Sequence, residues 1–141
     1  MEATDLSKFL TAQESVYASA LEEITSGRKQ GHWMWYIFPQ ISGLGSSSTS
    51  IYYAIDSLQQ ATEYLHHPVL GKRLTDICEA ILAVEGKTAY QILSSPDDLK
   101  LKSSMTLFSS VRHADPVFQK VLDKYYNGIA DQKTLEIIRK I

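Results

Sequence analysis

Apolar residues in this chain recur at steps of three and four, and no segment alternates apolar with polar residues at period two. That rhythm leaves no place for a sheet and commits the chain to helices packed on helices. Leu6, Phe9, Gln13, Val16, Tyr17, Ala20, Leu21 and Ile24 form one stripe, so a helix is expected over residues 5–26. Asp5 or Thr4 suits its start, and Gly27 suits the left-handed position after its end. Ile51, Tyr52, Ile55, Leu58, Ala61 and Leu65 predict a second helix over about 48–65, broken by His66-His67-Pro68. A third is expected over roughly 68–84, with Pro68 at its first position and Gly86 as its stop.

Later in the chain, punctuation is stronger than periodicity. Thr88–Leu93 is a short helix at best. Ser95-Pro96-Asp97-Asp98 reads as a helix start: a capping serine, a first-turn proline, then carboxylates at the positive end of the helix dipole. That helix fades near Val111. Asp115-Pro116 repeats the signal for a helix through Tyr126, stopped by Gly128, and Asp131 opens the last, which carries Leu135, Ile138 and Ile141. Residues 32–38 are apolar all round and read as a buried helical turn or two ended by Pro39, and 39–48 is the longest break. The expected fold is all-α, a single compact domain over residues 1–141 with about six to eight helices.

At 141 residues the chain can bury a core without disulfides or metal. Its 14 basic and 16 acidic residues give a net charge of −2 with no basic block, which argues against non-specific binding to long nucleic acid. Cys78 is the one cysteine; flanked by Ile77 and Glu79-Ala80-Ile81-Leu82, it reads as a packing residue. The opening Met-Glu-Ala-Thr-Asp lacks the basic and apolar regions of a signal peptide, and no apolar run approaches the roughly 20 residues of a membrane span. A cytoplasmic location and no membrane partner are the expectations.

The chemistry-bearing residues concentrate in two stretches. Both tryptophans, Trp33 and Trp35, precede the run Gly43-Leu44-Gly45-Ser46-Ser47-Ser48-Thr49-Ser50. Glycines let backbone amides turn toward a ligand, serines add donors, and a following helix start favours an anion. The run is neither a Walker A loop nor a dinucleotide fingerprint, and it also reads as a flexible loop with a serine cap. On a helix Trp33 and Trp35 diverge by about 200°, so one packs inward while the other can line a cleft. The second stretch, Lys100 to Phe108, places Ser103, Ser104 and Thr106 in one helix, which implies partners for their hydroxyls or close helix packing. Lys100 lies one turn from Ser104 and close to Asp97. His32, beside the aromatics, is the best acid–base candidate among the four histidines. His66 and His67 are adjacent, and with no His-Glu-x-x-His spacing or cysteine partner, no metal site and no cofactor are expected.

Four motifs together carry a resemblance. His32-Trp33-Met34-Trp35-Tyr36-Ile37-Phe38-Pro39-Gln40, Gly43-Leu44-Gly45-Ser46, Tyr64-Leu65-x-His67-Pro68-Val69-Leu70-Gly71-x-Arg73-Leu74 and Lys100-Leu101-x-Ser103-Ser104-Met105-Thr106-Leu107-Phe108 resemble the bacterial domain-of-unknown-function family numbered 1810. The resemblance covers nearly the whole chain and implies a compact all-helical domain. The calpastatin-like label sometimes given to that family has no physical support in these residues. In size, helical content and aromatic-rich motifs the family is similar to the NADAR group, which acts on ADP-ribose derivatives. The nearest matches to a family signature are Trp33, Trp35, Gln40, Gly45, Ser48, Lys100, Ser103 and Ser104.

Two functions follow as expectations. In the first, Gly43, Gly45, Ser46 and Ser48 hold the phosphate of a nucleotide-derived ligand such as an ADP-ribose derivative. A tryptophan stacks on its ring, with Gln40, Lys100, Ser103 and Ser104 completing the site. If that ligand is turned over, hydrolysis of an N-glycosidic bond is the expected reaction, with His32 or Asp97 activating water. In the second, the domain is not an enzyme and the aromatic segment 32–38 anchors another protein. A cleft joining 33–50 to 97–106 favours the first; an exposed apolar ridge favours the second.

Overall fold

The computed structural model describes residues 5–140, so Thr4 and Ile141 lie outside the described residues. Ten helices form among them: α1 (Ser7–Glu14), α2 (Tyr17–Thr25), α3 (Met34–Ile37), α4 (Ser48–Tyr52), α5 (Leu58–His66), α6 (Leu70–Ala83), α7 (Ala89–Leu93), α8 (Asp97–Ser109), α9 (Val117–Tyr126) and α10 (Gln132–Lys140). The all-helical expectation holds, with ten helices instead of six to eight. None is long and apolar enough to cross a membrane.

The higher count comes from two long helices that are broken. The stripe over 5–26 divides at Ser15, so that α1 packs on α3 while α2 packs on α6. Gln13, on the apolar face just before the bend, is buried and donates to the Tyr36 carbonyl at 2.7 Å and the Tyr64 hydroxyl at 3.0 Å. The helix expected over 48–65 is interrupted because Ile55 leaves it to pair with Ile41. The Ile55 carbonyl accepts from Ser42 N–H and the Ile55 N–H donates to the Gln40 carbonyl, both at 2.8 Å. Ser57 then restarts the helix, its hydroxyl accepting from Gln60 N–H at 3.0 Å while Gln60 Oε1 accepts from Asp56 N–H at 2.7 Å.

Other boundaries shift by a residue or two. His67 Nδ1 accepts from the N–H groups of Val69 and Leu70, so α6 begins at Leu70 and not at Pro68. Ser95 does not cap α8; the first turn instead bonds to the carbonyls of Ser94 and Pro96. Thr88 and Gln91 form a reciprocal capping box on α7. Asp131 opens α10 as expected, accepting from Thr134 N–H at 3.1 Å.

The centre is built on α6 and α8. Helix α8 packs against α9, α7, α10 and α5, and α6 packs against α9, α2 and α5. An aromatic chain crosses the core from α1 to α9: Phe9 meets Tyr64 edge-on at 5.3 Å, Tyr64 meets Phe108 at 5.4 Å, and Phe108 meets Phe118 at 5.8 Å. Gly71 sets how closely α5 and α6 approach, since a Cβ there would lie 2.0 Å from the Leu65 carbonyl oxygen. Backbone cannot yield as a side chain does. Gly71→Ala is therefore expected to destabilise the protein by about 3 kcal/mol. Chemical denaturation checks this; a midpoint equal to wild type would show that the two helices part without penalty.

Candidate functional site

Glu23 on α2 organises the segment that carries the tryptophans. Its Oε1 accepts from Gln30 N–H at 2.7 Å, Gly31 N–H at 2.8 Å and the Trp33 indole N–H at 3.0 Å. Partial desolvation pushes the Glu23 carboxyl upward. The bonds from Gly31, Gln30 and Trp33, with the Lys29 charge, outweigh it and hold the group below the usual carboxylate range. Trp33 is fully buried and packs against Phe38, whereas Trp35, two residues on, is half-buried. The divergence expected of the pair is what places one inward and one at a cleft.

The two tryptophans are linked to the start of α8 by lysines. Lys29 Nζ lies 2.9 Å from Asp97 Oδ2 and 5.1 Å from the centre of the Trp33 ring, and it also donates to the Gly31 carbonyl. Lys100 Nζ lies 3.1 Å from Asp97 Oδ1 and 3.6 Å from the centre of the Trp35 ring. Asp97 thus receives one ammonium on each oxygen, and each ammonium rests on an indole. All three side chains are largely shielded, at 8%, 18% and 17% exposure for Lys29, Lys100 and Asp97. Shielding strengthens such pairs relative to solvent-exposed ones.

Trp35 also walls a small cleft with Gln40, Gly43, Gly45, Ser50 and Tyr53. Its enclosed part is about 20 Å³, room for one water-sized group. The segments 33–50 and 97–106 therefore meet through Trp35 and Lys100. Gly43 has a positive φ of 103° and Gly45 approaches Ser50 so closely that a Cβ would lie 2.6 Å from its hydroxyl. The cap of α4 is Ser47: its hydroxyl accepts from Ser50 N–H at 3.1 Å, and Ser50 Oγ donates back to the Ser47 carbonyl at 2.8 Å. Ser46 and Ser48 are exposed beside it.

The remaining predicted residues scatter. His32 is exposed next to the aromatic segment. Ser103 faces the other way from Lys100, donating to Asp131 Oδ2 at 3.1 Å and to the Leu99 carbonyl at 3.2 Å. Ser104 is buried with no hydrogen-bond partner, and Lys100 turns to Asp97 and Trp35 instead of to it. Among the described residues no three His, Cys, Asp or Glu are grouped to hold a metal ion. Trp33, Met34, Ile37 and Phe38 are buried, so most of the segment 32–38 belongs to the core and is not presented as an anchor. Glu23 and Lys29 were missed by sequence reasoning. The signal that points to Glu23 is the need of a buried indole N–H for an acceptor.

The chain matches the family model described as "Protein of unknown function (DUF1810)" over residues 3–138. It belongs to that family. Its structure is similar to the crystal structure of the conserved hypothetical protein Rv1873 from Mycobacterium tuberculosis, with 45% identity over 98% of this chain and 99% of that one, and a TM-score of 0.95. No curated protein matches the chain.

Replacing Glu23 by alanine orphans three donors at once and is expected to destabilise the fold by about 2 kcal/mol, with Glu23→Gln milder because its oxygen still accepts. Because the folded-state carboxyl is held low, this contribution is complete above the ordinary carboxylate range and is lost as pH falls through the lowered value. Urea melts from about pH 6 to about pH 3 should show the gap between wild type and Glu23→Ala closing at the acid end. A gap that does not change with pH would remove the charge from the explanation.

Proposed function

We propose that this member of the DUF1810 family binds a small phosphorylated molecule bearing a flat ring, of the nucleotide or ADP-ribose kind, at the cleft beside Trp35. The observation that carries the reading is the dual role of Trp35, whose ring holds the Lys100 ammonium at 3.6 Å while lining the cleft with the Gly43–Ser50 loop. The enclosed part admits only a water-sized group, so the ligand sits at the mouth of the cleft, its ring against the indole and its phosphate toward Lys100 at the Trp35 ring. Lys100 is the donor for the anion because Lys29, at 8% exposure, is the more deeply held of the two. The incoming phosphate competes with Asp97 for that ammonium. Cleavage of an N-glycosidic bond by water activated at His32 or Asp97 is the reaction this reading would add. Asp97 already has both oxygens engaged, so binding is the better supported half.

The competition gives a two-sided test. Lys100→Met should weaken binding of sulfate, phosphate and ADP-ribose about ten- to a hundredfold, the equivalent of one charge-assisted hydrogen bond of about 1.5–3 kcal/mol. Asp97→Asn, which removes the rival carboxylate, should strengthen it. Calorimetric titration of the three proteins reads both, and release of free base from ADP-ribose or NAD scores turnover in the same samples. Equal binding by wild type and Lys100→Met removes Lys100 from the site. Absence of binding by all three overturns the small-molecule reading.

A further inference from the structure

A larger cavity lies away from Trp35, between the α5–α6 junction and the turn that joins α8 to α9. Its volume is about 350 Å³, at the lower end of the range for small-molecule sites. The lining is divided in character. Half-buried Leu65 and Ala114 supply an apolar floor over the buried Val111 and Phe118, and His66, Arg112 and His113 stand exposed at the rim.

The other charged and capping groups of this cavity already have partners. Lys72 is paired with Asp76 at 2.9 Å. Asp115 accepts from Val117 N–H at 2.8 Å, which caps α9, and the first N–H groups of the α6 region are taken by His67 Nδ1. Thr75 donates to the Gly71 carbonyl at 2.9 Å. Among the described residues Arg112 forms no ion pair, so the one unengaged full charge on the cavity is a guanidinium, flanked by two imidazoles.

The backbone adds an independent observation. His113 has φ +62°, a left-handed conformation that non-glycine residues adopt uncommonly. Glycine serves at Gly27, Gly43, Gly86 and Gly128, and Ser94 and Asn127 are the other non-glycine residues with positive φ among the described residues. At the α8–α9 turn the position is instead filled by a side chain that lines the cavity.

We infer that this cavity is a second ligand site, for a small organic monoanion whose apolar body lies against Leu65 and Ala114 and whose carboxylate pairs with Arg112. A guanidinium matches the planar geometry of a carboxylate with two parallel hydrogen bonds. The apolar floor demands a hydrocarbon body, which separates this ligand from the phosphorylated one of the Trp35 cleft. The inference does not depend on that cleft.

The test uses the whole protein and 2-naphthoate as probe, with 2-naphthylmethylammonium as its cationic counterpart. Nuclear magnetic resonance titration should show saturable binding of the acid, with amide shifts at residues 65–76 and 111–118. The ammonium should bind at least tenfold more weakly. Arg112→Gln should weaken the acid about tenfold or more; the residue is exposed, so the fold survives the change. His113→Gly keeps the left-handed turn without strain and should also weaken binding, which separates the imidazole from the backbone. Lys100→Met should bind 2-naphthoate as wild type does, so failure here and failure at the Trp35 cleft are told apart. The proposal is overturned by no binding at millimolar acid, by equal affinity for acid and ammonium, by unchanged affinity in Arg112→Gln, or by shifts confined to the Trp35 cleft.

Discussion

A helix buried on every side must satisfy its own polar side chains, and α8 carries that constraint for the whole domain. Positions 103–108 are buried without a break, and three of them are hydroxyl residues. Thr106 Oγ1 donates to the Lys102 carbonyl at 2.8 Å and accepts from Asp131 N–H at 2.8 Å. Asp131 Oδ2 receives Ser103 and both the N–H and the hydroxyl of Thr134. One carboxylate therefore caps α10 and joins it to α8. Without it, several desolvated donors would lack acceptors at the centre of the packing. Ser104 is the exception: its hydroxyl is buried without a hydrogen-bond partner.

The start of α8 repeats the principle with full charges. Asp97 stands in the first turn, where a carboxylate is favoured by the helix dipole, and it gathers Lys29 from the α2–α3 loop as well as Lys100 from its own helix. Each ammonium sits over an indole, which supplies a negatively polarised face in place of the water lost on burial. Two carboxylates, Glu23 and Asp97, thus fix the two ends of the tryptophan segment. The site's geometry follows from satisfying buried donors before any ligand enters.

Much of this architecture is legible in the residues themselves. The cap and stop signals at Gly27, Asp115, Gly128 and Asp131 all mark real boundaries, because they act through hydrogen bonds a few residues long. The meeting of 33–50 with 97–106 was also inferable, since unusual hydroxyl and aromatic content in two segments has one economical explanation. The breaks at Ser15 and Ile55 were not, because the apolar stripe runs through both. A stripe reports which face is buried and is silent about whether the axis stays straight. Lys29 was hidden for a different reason: nothing local distinguishes a loop lysine that will cross to a carboxylate 68 positions away from one that stays in water.

The pairing of Ile41 with Ile55 bears on more than a broken helix. It fastens both ends of the Gly/Ser segment to one another, and the segment is pinned again where Leu44 and Tyr53 pack on the core, the Tyr53 ring meeting Phe9 at 5.9 Å and Tyr36 at 5.1 Å. Closing a free loop costs only about 0.6 kcal/mol more for each doubling of its length. That tolerance belongs here to the exposed run 45–49, between the pinned side chains. This part of the rim is free to change length in evolution while the scaffold that carries it stays fixed.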